Sequence, residues 1–150
     1  MIRVFTAFSG YDSQCLALNS IGVDYELVGW SEIDKYAIRA HNALFPQWAD
    51  RNYGDISKID WSQVPDFDLF TYSSPCQDFS QAGKQAGAVK GSGTRSSLLW
   101  ECERAIEAKR PKYLLFENVA ADIREDGIQQ FHASAQCQNT RLPYPYTAES

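Results

Sequence analysis

The segment "IRVFTAFSGYDSQCLALNSIG", residues 2–22, decides the fold class of this chain. Its first seven residues are mostly β-branched or aromatic, which favours a strand, and the Ser-Gly pair at 9–10 favours a turn. A helical pattern then covers 12–21 and ends at Gly22. The segment therefore predicts strand, turn and helix in that order, which is the opening unit of an α/β sheet.

The same alternation of strand and helix continues along the chain. "YELVGWS" (25–31) predicts a second strand, and Asp34 can cap a helix that reaches about Phe45. Three further strands are predicted in "NYGDIS" (52–57), "FDLFTYS" (67–73) and "KYLLFENV" (112–119), with a helix from Ser96 or Ser97 to about Arg110. We therefore expect a mostly parallel sheet with helices on both faces and right-handed crossovers.

Length and composition limit the organisation of the chain. The 150 residues are 44% hydrophobic, enough for one domain with a core, which we assign to residues 1–126. Residues 127–150 contain glutamines and prolines and show no sustained helical or strand period, which predicts a poorly ordered tail. We expect the sheet to stop after its fifth strand.

Charge and cysteine usage narrow the possible partners. The formal net charge is −5, so contact with a nucleic acid requires a local basic patch. The four cysteines form no C-x-x-C pair or Cys/His cluster, so no metal site is predicted. The absence of a signal-peptide pattern and of a long apolar run predicts a cytoplasmic protein without membrane contact.

Polar residues follow the predicted strands at the edge where ligands bind in such sheets. Glu32 lies 22 positions after Gly10, where an acid can accept both hydroxyls of a ribose, and Asp55 can accept from an adenine amine. Asp12 would repel a pyrophosphate, whereas a sulfonium cofactor tolerates it. These residues predict an adenosine-containing cofactor; alternatively Gly10 only makes the turn and the two acids cap helices.

The loop "TYSSPCQDFSQAGKQAGAVKGSGTRSS" (71–97) is the local basic patch. Cys76 follows a proline at a strand end and is a candidate nucleophile, although a lone cysteine is more often a small core residue. Lys84, Lys90 and Arg95 can neutralise phosphates, and the glycines permit closure over a substrate; a solvated linker is the alternative. Cys15 and Cys102 lie on apolar helix faces and are predicted core residues.

Several motifs, taken in order over residues 1–124, resemble the cytosine-5 DNA methyltransferases of bacteria and phages. They are "FTAFSGYDSQCLAL", "GWSEIDKYA", "GDI", "SSPCQDFSQAGKQAG" and "FENV". The resemblance implies a Rossmann-like fold, S-adenosylmethionine as cofactor and double-stranded DNA with a flipped cytosine as substrate. The first motif departs from the family, because Asp12 and Ser13 stand where glycines are usual.

The resemblance also implies roles for individual residues. Cys76 would attack carbon 6 of cytosine, and Glu117 would hold the ring at N3 and its amino group while carbon 5 takes the methyl group. The implied cofactor-binding residues are Phe8, Gly10, Glu32, Ile33, Asp55, Ile56, Pro75 and Asn118. The implied DNA-binding residues are Ser80, Lys84, Lys90 and Arg95.

Other functions remain open at this point. The family continues beyond "ENV" with an arginine motif and a target-recognition domain that do not follow here, so the chain could be a non-catalytic fragment or could need a second polypeptide. A nicotinamide-dependent oxidoreductase is a further alternative, although G-x-G-x-x-G is absent. A thiol redox protein would need a second, resolving cysteine.

Overall fold

The computed structural model describes residues 1–73 and 98–117 of the chain. Its strands are β1 (Ile2–Ala7), β2 (Tyr25–Ser31), β3 (Leu69–Tyr72) and β4 (Tyr113–Phe116). Its α-helices are α1 (Ser13–Ser20), α2 (Lys35–Leu44) and α3 (Leu99–Lys109), and three short 3-10 helices cover Pro46–Arg51, Ile56–Lys58 and Trp61–Gln63. The predicted tail, residues 127–150, lies outside the described residues.

The described strands form one parallel sheet in the order β2-β1-β3-β4. Along β1 the side chains alternate between its two faces, with Val4 packed beside α1 and α2, and Phe5 packed beside α3. Helices therefore cover both faces, as the sequence predicts. Since every described pair of strands is parallel, all carboxyl ends meet at one edge of the sheet.

The predicted third strand is wrong. Only Asn52 forms a bridge, parallel to Trp30, and the Tyr53 N–H donates to the Trp30 carbonyl at 2.8 Å. Gly54 then adopts φ +70°, which ends the extended backbone, and the next residues form a 3-10 helix. The segment still runs along β2 long enough to reach the carboxyl edge, so the site prediction does not depend on a full strand there.

Two helix starts follow from side-chain caps. The Asp34 carboxylate accepts from the N–H groups of Tyr36 and Ala37, as predicted for α2, and the Asp12 carboxylate accepts from Cys15 N–H at the start of α1. The predicted start of α3 at Ser96 or Ser97 lies outside the described residues. Within the described ranges, no helix has the length and apolar character needed to cross a membrane.

Close packing within the sheet requires a glycine in β2. The pairing of β1 with β2 shifts register between Val4 and Phe5, so that Phe5 lies opposite Gly29. A Cβ atom on Gly29 would lie 2.7 Å from Phe5 Cε2 and 2.8 Å from Tyr53 Cε2. The absent side chain therefore lets two aromatic rings pack directly on the strand.

Asp68 joins three segments at the amino edge of the sheet. Its carboxylate accepts from the Arg3 N–H at 3.1 Å and lies 3.1 Å from Lys112 Nζ, while its backbone N–H donates to the Arg3 carbonyl. The bond from the Arg3 N–H, together with the nearby Lys112 and Arg3 side chains, lowers the pKa of Asp68 to about 2. The ionised form therefore stabilises the ends of β1, β3 and β4.

We expect Asp68→Asn to lower the free energy of unfolding by about 1–2 kcal/mol at pH 7, because the pKa of this carboxyl is lower in the folded state than in the unfolded state. This stabilisation is present above the unfolded pKa, near 4, and is lost as the pH falls toward 2. Urea unfolding should show that the difference in the free energy of unfolding between wild type and Asp68→Asn vanishes as the pH falls through this range. Asp66→Asn is the control, since the Asp66 side chain is 72% exposed; a difference for Asp68→Asn that does not change with pH would contradict the account.

Candidate functional site

A cavity of about 580 Å³ opens at the carboxyl edge of the sheet. The segments after β1, β2 and β3 contribute to its wall. The segment 52–57, which was wrongly predicted to be the third strand, also contributes. Its lining residues are Phe8, Ser31, Glu32, Ile33, Asp34, Gly54, Asp55, Ile56, Ser73 and Leu98. Five of the residues predicted to bind the cofactor, Phe8, Glu32, Ile33, Asp55 and Ile56, therefore lie around one cavity.

The turn after β1 is bonded to the end of β2. Gly10 does not itself line the cavity, but its N–H donates to Glu32 Oε2 at 2.9 Å, and the Ser9 N–H donates to the Ser31 carbonyl at 3.2 Å. Phe8 adopts φ +54° and Gly10 adopts φ +57°, so the chain turns sharply beneath Glu32. The turn and the acid predicted to bind ribose thus form one hydrogen-bonded unit.

Glu32 is more constrained than its sequence position alone predicts. Its Oε1 atom accepts from the N–H groups of Ile33 at 2.7 Å and Asp34 at 2.9 Å, in addition to the Gly10 bond on Oε2. A carboxylate offers about four lone-pair positions, so roughly one remains for a ligand. The Glu32 carboxylate therefore shapes the rim of the cavity and retains about one free acceptor position.

Asn52 and Ser31 are site residues that the sequence analysis missed. The Asn52 amide donates to the Glu32 carbonyl at 3.1 Å, and its oxygen accepts from the Glu32 N–H at 3.2 Å. The Ser31 hydroxyl donates to the Gly54 carbonyl at 2.6 Å. These bonds hold the two neighbouring segments of the rim together, and the Asn two positions before Gly54 is the signal that could have predicted them.

Asp55 has the capping role that the sequence analysis kept as an alternative. Its Oδ1 atom accepts from both the N–H and the hydroxyl of Ser57, at 3.0 and 2.8 Å. These bonds lower the pKa of Asp55, and Lys58 lies 3.4 Å from Oδ2. Asp55 nevertheless lines the cavity, so capping and ligand contact are compatible, and its neighbour Ile56 is buried beneath it.

The cavity is acidic and has an exposed apolar rim. Glu32, Asp34 and Asp55 contribute three carboxylates, and none of the described residues that line the cavity is basic. Ile33 lines the cavity and is 71% exposed, so it offers apolar surface to a ligand. Such a wall disfavours a pyrophosphate and suits a cation attached to a flat apolar ring.

Glu117, the predicted base-binding acid, lies next to this cavity. The Ser73 hydroxyl donates to Glu117 Oε2 at 2.8 Å, and the Glu117 N–H donates to the Tyr72 carbonyl at 3.1 Å. Since Ser73 lines the cavity, the bond links the carboxyl group of Glu117 to the cavity wall. Ser73, directly after the apolar run of β3, is a further residue that the sequence analysis did not select.

The other seven predicted site residues lie outside the described residues: Pro75, Cys76, Ser80, Lys84, Lys90, Arg95 and Asn118. The two predicted core cysteines are described, and both Cys15 and Cys102 are fully buried. Burial raises the pKa of each of these two thiols, so neither is suited to act as a nucleophile.

The chain is similar in sequence to methyltransferases of bacteria and phages. It is 40% identical to the type II methyltransferase M2.ScrFI of Lactococcus lactis subsp. cremoris over 79% of this chain and 47% of that protein. It is 45% identical to the orphan methyltransferase M.Rho11sI of Bacillus phage rho11s over 83% of this chain and 24% of that protein. The chain therefore spans less than half the length of these two relatives.

Solved structures of more distant proteins share the fold. The methyltransferase Dnmt2 of S. pombe superimposes with a TM-score of 0.68 at 20% identity, over 91% of this chain and 39% of that one. The Entamoeba histolytica methyltransferase EhMeth gives a TM-score of 0.71 at 15% identity, over 93% and 44% of the two chains. The predicted Rossmann-like methyltransferase fold is confirmed.

A family model covers most of the chain and agrees with these similarities. The model described as "C-5 cytosine-specific DNA methylase" matches residues 2–132, which include the whole cavity wall and Glu117. The chain belongs to the family of C-5 cytosine-specific DNA methylases.

Proposed function

We propose that this chain carries the cofactor site and catalytic residues of a DNA cytosine-5 methyltransferase. One observation supports this most strongly: in a member of this family, an acidic cavity at the carboxyl edge of the sheet adjoins Glu117, the predicted base-binding acid. A methyl donor in the cavity and a cytosine held at Glu117 would then be neighbours. Methyl transfer between them is the proposed reaction.

The cavity fits S-adenosylmethionine, which supplies an electrophilic methyl group when bound. In our proposal Glu32 accepts from the ribose through its remaining lone pair, while Ile33 and Ile56 contact the adenine and Asp55 accepts from its amine. Three carboxylates favour the sulfonium cation and disfavour a dinucleotide. The acidity of the cavity therefore supports this cofactor over the nicotinamide alternative.

The catalytic proposal assigns the thiol chemistry to Cys76. The Cys76 thiolate forms a bond to carbon 6 of cytosine, which makes carbon 5 nucleophilic, and Glu117 stabilises the ring at N3. After methylation a base removes the carbon-5 proton, and the sulfur–carbon bond breaks to release the thiol. Cys76 is therefore needed for each turnover but is regenerated.

Duplex DNA with the cytosine flipped out is the proposed substrate, since a base within the stack cannot reach these residues. Ser80, Lys84, Lys90 and Arg95 are proposed to contact it, with Pro75 and Asn118 shaping the pocket. A second polypeptide that supplies further segments stays part of the proposal. The free thiols Cys15 and Cys102 suit a reducing compartment, and we propose the cytoplasm.

We expect Glu32→Gln to weaken binding of S-adenosylmethionine about 10- to 100-fold, because it removes a charged hydrogen-bond acceptor from the cavity. Isothermal titration with the folded 150-residue chain measures this change. Glu26→Gln is the matched control, since Glu26 lies within β2, the strand that Glu32 directly follows, and pairs with Arg51; its affinity should stay within about twofold. Equal affinities for Glu32→Gln and the wild type would contradict the assignment of Glu32.

Covalent trapping tests the reaction itself. With S-adenosylmethionine and a duplex in which 5-fluorocytosine replaces cytosine, we expect a denaturant-stable adduct, because the fluorine cannot leave as a proton does. Cys76→Ser should give no adduct, and Cys15→Ser should give the wild-type yield because Cys15 is buried.

The trapping experiment is run with and without a second polypeptide that supplies the later segments of a related methyltransferase. An adduct only with that addition would support the two-chain form of the proposal. If the cofactor binds and neither arm gives an adduct, the chain is a cofactor-binding fragment without catalytic activity.

A further inference from the structure

The residues that follow β3 and β4 lie side by side at the carboxyl edge of the sheet. Tyr72 lies opposite Phe116 in the parallel register, and the Glu117 N–H donates to the Tyr72 carbonyl at 3.1 Å. Ser73 and Glu117 directly follow these two paired residues, and Ser73 lines the cavity. The strand pairing therefore fixes where the two side chains begin, next to the cavity wall.

Aromatic packing supports the backbone at these strand ends. Tyr72 is 1% exposed, and the centroid of its ring lies 5.1 Å from that of Phe116 and 5.1 Å from that of Phe70. Movement of either strand end would disturb these contacts in the core. The backbone position of Glu117 therefore depends on core packing, whereas the orientation of its carboxyl group is a separate question, because Glu117 is exposed.

The carboxyl group of Glu117 needs a contact of its own to keep one orientation. A glutamate side chain that is free in solvent samples several rotamers, and holding it in one of them costs conformational entropy. In the part of the chain that the structure describes, the Ser73 hydroxyl supplies such a contact, since it donates to Glu117 Oε2 at 2.8 Å. This bond uses one lone pair of Oε2 and does not involve Oε1.

We propose that Ser73 is a positioning residue for base recognition, acting through Glu117. The inference rests on the proposed function, in which Glu117 holds cytosine at N3 and at its amino group. By donating to Oε2, the Ser73 hydroxyl keeps the Glu117 carboxyl group in one orientation before the base enters. The base then binds to a carboxyl group that is already in place, which lowers the entropic cost of binding.

The same bond makes the two carboxyl oxygens of Glu117 different. A carboxyl oxygen that carries hydrogen is a donor, whereas the Ser73 hydroxyl needs an acceptor at Oε2. A proton shared between Glu117 and N3 of cytosine therefore belongs on Oε1, and Oε2 accepts from the cytosine amino group through its second lone pair. This arrangement fits the base edge of cytosine, which has an acceptor at N3 and a donor at the amino group.

Three variants isolate the contribution of the hydroxyl group. Ser73→Ala removes it, Ser73→Thr keeps it, and Ser62→Ala is the matched control. Ser62 also donates its hydroxyl to a carboxylate, Asp60 Oδ1 at 2.7 Å, but it belongs to the 3-10 helix Trp61–Gln63, which does not line the cavity. Each variant is studied at a temperature at which thermal unfolding shows it to be folded.

The rotamers of the Glu117 side chain give a readout that needs neither cofactor nor DNA. In the 13C,15N-labelled chain, three-bond couplings across the Cα–Cβ and Cβ–Cγ bonds of Glu117 report whether one rotamer or several are populated. We expect one rotamer in wild type, Ser73→Thr and Ser62→Ala, and averaged couplings in Ser73→Ala. Averaged couplings in wild type, or couplings that are the same in wild type and Ser73→Ala, would overturn the positioning role.

Covalent trapping on the 5-fluorocytosine duplex measures the effect on the base. We expect Ser73→Ala to form the adduct about 5- to 50-fold more slowly than wild type, because the Glu117 carboxyl group is no longer held in place. Ser73→Thr should restore the rate to within about threefold, and Ser62→Ala should match wild type. The affinity for S-adenosylhomocysteine should stay within about threefold in all three variants, since the hydroxyl acts on Glu117.

Two other outcomes have distinct meanings. If Ser73→Ala loses affinity for S-adenosylhomocysteine while the Glu117 couplings stay at their wild-type values, Ser73 is a cofactor contact and the positioning role is wrong. If the wild-type chain forms no adduct, with or without the second polypeptide, the result counts against the proposed function. The Glu117 couplings would then still decide whether Ser73 positions the carboxyl group.

Discussion

The candidate site depends on one carboxylate that accepts three backbone hydrogen bonds. Glu32 bonds to Gly10 in the turn after β1 and to Ile33 and Asp34 after its own strand. It thereby joins the ends of two adjacent parallel strands, and the Asn52 side chain extends the connection to the next segment. Because backbone N–H groups at strand ends need acceptors, the same carboxylate that shapes the cavity also stabilises the fold around it.

The sheet explains why distant residues meet at this place. Because all described strands are parallel, residues 20 or more positions apart in the sequence lie at the same edge of the sheet. Polar side chains at this edge follow the strand ends and lie beyond the strand pairing. The acidic residues of the cavity lie directly after β2 or at helix starts, and Ser73, which also lines the cavity, donates to Glu117. The proposed cofactor and base would therefore meet at this edge of the sheet.

Local patterns in the sequence predicted most of the described fold and part of the site. The bounds of β2 and the Asp34 cap follow from an apolar run and a capping residue, which are local signals. The wrong prediction of a strand at 52–57 shows the limit of such local signals. There the positive φ of Gly54 and the helix cap at Asp55 outweigh the β propensity of a few residues. The role of Asn52 depends on contacts across the fold, which periodicity and spacing do not encode.

The central claim is that the rim formed by Glu32 and its bonded neighbours is the binding site of a nucleoside cofactor, and amide chemical shifts test it most directly. S-adenosylhomocysteine is titrated into the 15N-labelled chain while the amide resonances of the rim and of the amino edge are followed. The account predicts that Gly10, Ile33 and Ile56 shift together with one dissociation constant, whereas Arg3 and Asp68 at the opposite edge do not. Saturable binding that leaves these three amides unchanged would contradict it.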